Sequence, residues 1–339
     1  MGERVTQRKE YQGYIKNANN EIETVDLTST TYRPEIQLDD FITQAPPVRI
    51  TPSRAKKLPR ADIETRFISI PDAQIGYRDT PNGLVTLHDE RAIAIARQAI
   101  MTLQPDVLVM AGDTIDLPEL TRFDPDSTDF TPRTLQMGID RATRYKAELR
   151  ADNPNADQYE LEGNHEYRLG RFVLKHAMAL YGIRRGDTTE LPVLTYDYLT
   201  RCNDTNTNFI SGYPANGYQP YDDLLFVHGK DIASNGSTAD KYSKKYPDTN
   251  VVFGHIHRHE LHTRTNRHGK YLTSATFGTL ASIEGSVPSY NSAKDSMGNV
   301  VKYNENWQQG FGVIDRYKNG NYSFRFIPII GGVALNANE

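Results

Sequence analysis

The chain has 339 residues, 24% of them charged, and a formal net charge of −4. That near-balance excludes a polycation built to coat nucleic acid, and no apolar run reaches the roughly 18–20 residues of a membrane span. The single cysteine, Cys202, excludes an internal disulfide and suits a reducing cytosol, the expected location.

Residues 1–60 are polar and end in APPVRITPSRAKKLPR, where prolines alternate with Arg49, Arg54, Lys56, Lys57 and Arg60. They read as an arm or linker with a solvated basic cluster. The opening MGERVTQRKEYQ is too polar for a signal peptide. It fits the loose M-G-x-x-x-[ST] acylation pattern through Gly2 and Thr6, which many unlipidated chains share.

The domain proper is expected over 61–335. RFISI (66–70) reads as a strand, and HDERAIAIARQAIMTL (88–103) carries apolar residues at helical spacing. DVLVM (106–110) reads as a buried strand, 132–150 as a helix, QYELE (158–162) as a strand and 168–181 as a helix. Such alternation indicates βαβ units around a central sheet. From about 208 shorter strands follow: DLLFVHG, NVVFGH, GKYLTSAT, FGVIDRY and YSFRFIPII, with one helix near 237–246. They predict a second sheet packed on the first, hence an α/β fold. The polar stretch 281–309 reads as a long loop, of a length that is often functional. Around Cys202 the sequence RCNDTNTN offers no obvious base, so an inert thiol is expected.

Several strands hand over at once to polar residues. RFISI is followed by Asp72-Ala73-Gln74, and VLVM by Ala111-Gly112-Asp113 with Asp116 close behind. QYELE is followed by Gly163-Asn164-His165-Glu166, LLFV by His228-Gly229, and VVF by Gly254-His255-Ile256-His257. Ligands of open α/β sheets gather at the carboxyl ends of strands, so these five groups would converge on one crevice. Singly, each has an ordinary explanation: D-x-x-D after a strand is more often a helix cap, Asn-His a turn, and a lone His a structural residue. Their joint presence, each at a strand end, is improbable by chance. Carboxylates, amides and imidazoles without a thiolate suit first-row divalent ions. The set is too large for one ion, and two ions sharing a carboxylate about 3.5–4 Å apart would use it all.

These five blocks, above all GDTID, GNHE and GHIH, resemble the signature of the calcineurin-like metallophosphoesterases across residues 66–258. In detail the chain is similar to stand-alone phage-encoded members. The resemblance implies two mixed β-sheets sandwiched between helices, a four-layer α/β/β/α fold. It implies that Asp113 bridges two metals, that Asp72, Gln74 and His257 complete one site, and that Asn164, His228 and His255 complete the other. His165 is then the general acid, or the donor to the phosphoryl oxygens, oriented by Asp116, while a hydroxide between the metals attacks phosphorus in line. Most of the family carries D-x-H in the first block. Gln74 stands where that histidine would be, and its harder, weaker amide oxygen favours Mn²⁺ or Mg²⁺ over Zn²⁺ at that site, so that two divalent ions are expected, Mn²⁺ first, with Mg²⁺, Zn²⁺ or Fe as the alternatives.

Arg168 and Arg122 are candidate phosphate clamps, although a helix-surface arginine is as common. Trp307 is expected to pack under a loop, and His259 and His262 to be solvated or core residues. The expected activity is hydrolysis of a phosphodiester or nucleotide, acting on a phosphorylated small molecule, nucleotide or nucleic acid. A serine/threonine protein phosphatase and a DNA nuclease of the same fold are the alternatives. A non-enzymatic metal-bound scaffold would have lost His165, Asp113 or Asp116, and this chain keeps all three.

Overall fold

The computed structural model describes residues 60, 62–81, 83–121, 130–186, 191–234, 236–283 and 306–335, with the backbone of strands at 3–16 and 22–34. The chain divides into two units, Met1–Pro46 and Pro47–Glu339. In the first, β1 (Glu3–Lys16) and β2 (Ile22–Pro34) pair antiparallel, from Glu3 opposite Pro34 to Lys16 opposite Ile22. Gly2 and the basic cluster from Arg49 to Lys57 lie outside the described residues, as do Arg122 and most of the 281–309 loop.

The second unit is α/β. In chain order it runs β3 (Ile63–Ile70), β4 (Tyr77–Thr80), β5 (Gly83–Thr86), α1 (Glu90–Leu103), β6 (Val107–Met110), α2 (Pro132–Asp152), β7 (Asp157–Leu161), α3 (Glu166–His176), α4 (Tyr196–Leu199) and β8 (Thr207–Ile210). It continues through β9 (Tyr218–Tyr221), β10 (Leu224–Val227), α5 (Thr238–Lys245), β11 (Asn250–Phe253), β12 (His259–Thr265), β13 (Tyr271–Phe277), β14 (Gly310–Tyr317), β15 (Tyr322–Ile330) and β16 (Val333–Ala334). A seven-stranded sheet has the order β16-β15-β14-β3-β6-β7-β8, and a five-stranded sheet the order β12-β13-β11-β10-β9. Both are mixed: β3, β6, β7 and β8 run parallel, as do β10, β11 and β13, with antiparallel strands at the flanks. The polar hairpin β4–β5 pairs only with itself.

The two-residue period of a strand explains how the sheets pack. Phe67, Val107 and Val109 face Leu224, Phe226, Val252, Ala275 and Phe277 of the other sheet in one core. Their neighbours Ile68, Ile70, Leu108 and Met110 face Ile93, Ile100, Tyr145 and Leu149 of α1 and α2 in a second. Val227, Val251 and Phe253 face Ala239 and Tyr242 of α5 in a third. Both faces of the central strands are therefore apolar, which is why they read as continuous hydrophobic runs. Helix α1 starts at Asp89, whose carboxylate accepts the Arg91 and Ala92 N–H groups at 2.9 and 3.0 Å. It buries Ala92, Ile93, Ala96, Ala99, Ile100 and Leu103 at the expected helical spacing. Helix α2 opens with a capping box between Thr131 and Thr134 and with Pro132 in its first turn.

One polar cluster lies inside this framework. Lys146 and Glu160 are both fully buried, with Lys146 Nζ 3.1 Å from Glu160 Oε2, 2.5 Å from Thr200 Oγ1 and 3.1 Å from Cys202 Sγ. Tyr196 donates its hydroxyl to Glu160 Oε1 at 2.6 Å. Cys202 thus has Lys146 beside it, brought by α2 rather than by its own segment, and burial pushes its thiol up to about 11. Glu160→Ala would strand a buried ammonium, so unfolding free energy is expected to fall by about 3–5 kcal/mol in a denaturant titration. The pair Lys146→Met with Glu160→Leu should recover most of that loss, because neither charge is then left alone.

Candidate metal centre

All five polar groups leave the carboxyl ends of parallel strands, and backbone hydrogen bonds stitch their loops together. The Gln74 N–H donates to the Asp113 carbonyl at 2.9 Å, Ile75 N–H to the Thr114 carbonyl at 2.8 Å, and Gly254 N–H to the His228 carbonyl at 3.0 Å. The Asp72 carboxylate reaches across to accept the His255 N–H, 3.1 and 3.0 Å from its two oxygens. Loops of both sheets therefore meet at one place.

The local backbone is strained there. Of the seven expected ligands, Asp72, Gln74, Asp113, His255 and His257 have φ of 37°, 46°, 50°, 76° and 56°. Non-glycine residues in the left-handed region cost of order 1–3 kcal/mol each and persist where the surroundings over-determine them, typically at functional sites. Gly163 is required for a different reason: a Cβ there would overlap the Asp113 backbone amide.

Asp113, His228 and His255 each place one donor atom so that all three lie within 4.8 Å of one another. His228 Nε2 is 3.2 Å from Asp113 Oδ2 and 3.1 Å from Asn164 Oδ1. Its Nδ1 donates to the Ala111 carbonyl at 2.8 Å, which fixes the tautomer and turns Nε2 toward the cluster. Beside this group, His257 Nε2 is 3.4 Å from Asp72 Oδ1 and 3.1 Å from Gln74 Nε2. A half-turn of the Gln74 amide would replace that nitrogen with Oε1, giving three donors facing one point. Gln74 Oε1 and His255 Nδ1, both buried at the centre, have no hydrogen-bond partner among the described residues, and Asp113 Oδ2 faces His228 Nε2 at 3.2 Å. Buried acceptors are left bare at such cost that their clustering fits a cation.

The electrostatics say the same. Burial alone would raise the Asp113 pKa, but His165, His228 and His255 outweigh it and hold the carboxyl far below the usual range. Burial would lower His228, yet Asp113, with Asp72 and Glu166 behind it, lifts it to about 10. Burial and the neighbouring His228 push His255 down to about 4. Asp113 thus concentrates positive charge at Oδ2, where a proton on His228 and a divalent cation would compete.

No protein-family model matches the chain, and no curated protein matches it. The site's own geometry carries the reading.

His165 and Asp116 also come together. His165 Nδ1 donates to the Asp116 carbonyl at 2.7 Å, with Asp116 Oδ1 2.6 Å away. Its Nε2 is 3.6 Å from Asp113 Oδ2. Arg168, read from sequence as a phosphate clamp, braces this pair: Nη1 donates to the Asp116 carbonyl at 2.7 Å and Nη2 lies 3.1 Å from His165 Nε2. Trp307 packs edge-on against His257, with ring centroids 4.1 Å apart. His259 stacks on Phe326 at 4.4 Å, and His262 lies 3.6 Å from Asp240, both away from the metal donors.

The roles of two residues escaped the sequence reading. Glu166, the last residue of GNHE, accepts backbone N–H groups from Asp113, Gly163 and Ile115 at 2.9, 2.8 and 3.2 Å, and so clamps the loops after β6 and β7 together. Burial, with Asp113 and Glu160 nearby, pushes its carboxyl up to about 8. In sequence it is indistinguishable from an ordinary first-turn acid. Tyr213 stands 5.8 Å from the His228 ring, held by Glu162, which accepts the Gly212 and Tyr213 N–H groups at 2.7 and 2.9 Å. No local pattern announces it.

Proposed function

We propose that this chain is a dinuclear metallophosphoesterase of the calcineurin-like kind, hydrolysing a phosphodiester or a nucleotide. The observation that carries the reading is the Asp113–His228–His255 cluster, with its donor atoms within 4.8 Å of one another, flanked by Asp72, Gln74, His257 and Asn164. The order of the five blocks and the three apolar cores, which alternate helix, sheet, sheet and helix, support the four-layer α/β/β/α arrangement.

The donor set fits two divalent cations. Asp72, Gln74 and His257 would hold one, Asn164, His228 and His255 the other, and Asp113 would be shared. Oxygen and imidazole donors with one neutral amide favour Mn²⁺, then Mg²⁺. When bound, such a pair supplies an activated water and neutralises charge on the phosphoryl oxygens. The protein's own contribution is orientation and proton management. Glu166 fixes the spacing of the Asp113 and Asn164 loops, and the His165 backbone N–H holds Asp113 Oδ1 at 2.9 Å. The His165 ring, its Nδ1 committed to Asp116 and its Nε2 held 3.1 Å from Arg168 Nη2 and 3.6 Å from Asp113 Oδ2, is the proton donor to a departing oxygen once substrate takes Nε2 from the arginine.

The test is hydrolysis of bis-p-nitrophenyl phosphate beside p-nitrophenyl phosphate after chelator stripping and reloading with Mn²⁺, Mg²⁺ or Zn²⁺. Mn²⁺-dependent turnover favouring the diester is the expected result. A preference for the monoester would move the assignment to a phosphatase, and binding of metal without turnover of either ester would remove the hydrolase reading.

A further inference from the structure

Helix α3 leaves the candidate metal centre and buries almost nothing. Of its eleven residues only Glu166 and Val173 are buried. Along it and the turn after it Tyr167, Phe172, Leu174, Met178, Leu180, Tyr181 and Ile183 are exposed, Met178 at 73% and Tyr181 at 60%. Exposed apolar side chains gathered in one segment mark a binding surface. From Tyr167 to Gly186 the sequence contains Arg168, Arg171, Lys175, Arg184 and Arg185 and no acidic residue, although the whole chain is net negative. Arg171, Lys175 and Arg185 are exposed, and no ion pair of theirs occurs among the described residues.

We propose that α3 and its following turn form a track for single-stranded nucleic acid running out of the phosphoester site. The proposal rests on the function argued above and names its substrate class. Tyr167, Arg171 and Lys175 are spaced i, i+4 and i+8, so they line one side of the helix over about 12 Å. The track begins at the centre itself: Tyr167 follows the GNHE block directly, and its ring lies 5.9 Å from that of Tyr213, which in turn lies 5.8 Å from the His228 ring. Cations trailing away from a phosphoryl-binding centre serve a substrate with further phosphates beyond the one being cleaved. The exposed Tyr167 ring at the head of this side, with the exposed Phe172 ring on the adjoining face, suits unpaired bases, which stack without regard to sequence. A small phosphomonoester would need neither. A second copy of this chain docked on the same face would set Arg171, Lys175 and Arg185 against their own counterparts, and like charges argue against it.

The experiment is fluorescence anisotropy of a labelled oligothymidylate with the full chain, compared with an abasic strand of equal length and with phosphatidylserine vesicles. The double substitution Arg171→Gln with Lys175→Gln is expected to weaken oligothymidylate binding at least tenfold. It should also flatten the log–log salt dependence by about 1.4, at ~0.7 for each single-strand phosphate that is no longer neutralised. Tyr167→Ala with Phe172→Ala should erase any preference over the abasic strand. Hydrolysis of bis-p-nitrophenyl phosphate should be unchanged in the charge variant, since neither residue touches the metal donors. Unaltered oligonucleotide affinity in that variant, or binding to vesicles with none to the strand, would overturn the track. Strand binding that depends on Arg171 and Lys175 in a protein without diesterase activity would keep the track and discard the phosphoesterase reading.

Discussion

Asp113→Asn is expected to lower kcat/KM at least about a thousandfold, roughly 4 kcal/mol of barrier at 1.36 kcal/mol per tenfold, and to lose bound metal as well. The direction follows from what each oxygen faces. Oδ1 accepts the His165 N–H at 2.9 Å, so the asparagine carbonyl must take that position. The amide NH₂ then falls at Oδ2, 3.2 Å from His228 Nε2 and 3.6 Å from His165 Nε2. A donor replaces an acceptor at the point where positive charge gathers, and a cation is repelled rather than held. Metal content by elemental analysis and turnover of the diester should fall together, with the fold checked by circular dichroism. A variant that kept wild-type turnover would show that Asp113 is not the shared ligand, and the dinuclear reading would fail with it.

What could be read from sequence was set by where the information sits. The strands β3, β6, β10 and β11 are buried on both faces, so each is an apolar run, and each surfaces abruptly into Asp, Gly or His. That made both the sheet and the candidate ligands legible at once. Some strands that bury one face or none were not: β12, HELHTRT, looks like a polar tail, yet it pairs with β13 over seven residues and buries Glu260. The strand pair β1–β2 hides in a polar segment, though Val25, Thr24, Thr28, Thr30 and Thr31 are β-branched and offered a usable signal. Lys146 shows the deeper limit. On a helix a lysine is expected in water, and its burial against Glu160 depends on a strand fourteen residues away in sequence and on Cys202 from a third segment. Helix α3 shows it in reverse: helical spacing promises a buried stripe, but whether any partner covers that stripe is a tertiary fact.

His165→Ala separates chemistry from metal binding. The ring is not one of the three groups clustered within 4.8 Å, and its Nε2 sits 3.6 Å from the nearest metal-facing oxygen. Alanine keeps the backbone N–H that orients Asp113 Oδ1. Metal content should therefore match the wild type while kcat falls by about 10²–10⁴, the range for losing a positioned proton donor. Asp116→Asn should fall between the two, because His165 Nδ1 has the Asp116 carbonyl at 2.7 Å as well as the side chain at 2.6 Å, and the substitution removes only the second. A graded series of wild type, Asp116→Asn and His165→Ala with constant metal occupancy would place the proton on this imidazole. If metal were lost in step with activity, His165 would be a support for Asp113 instead, and the proton donor would have to be sought elsewhere.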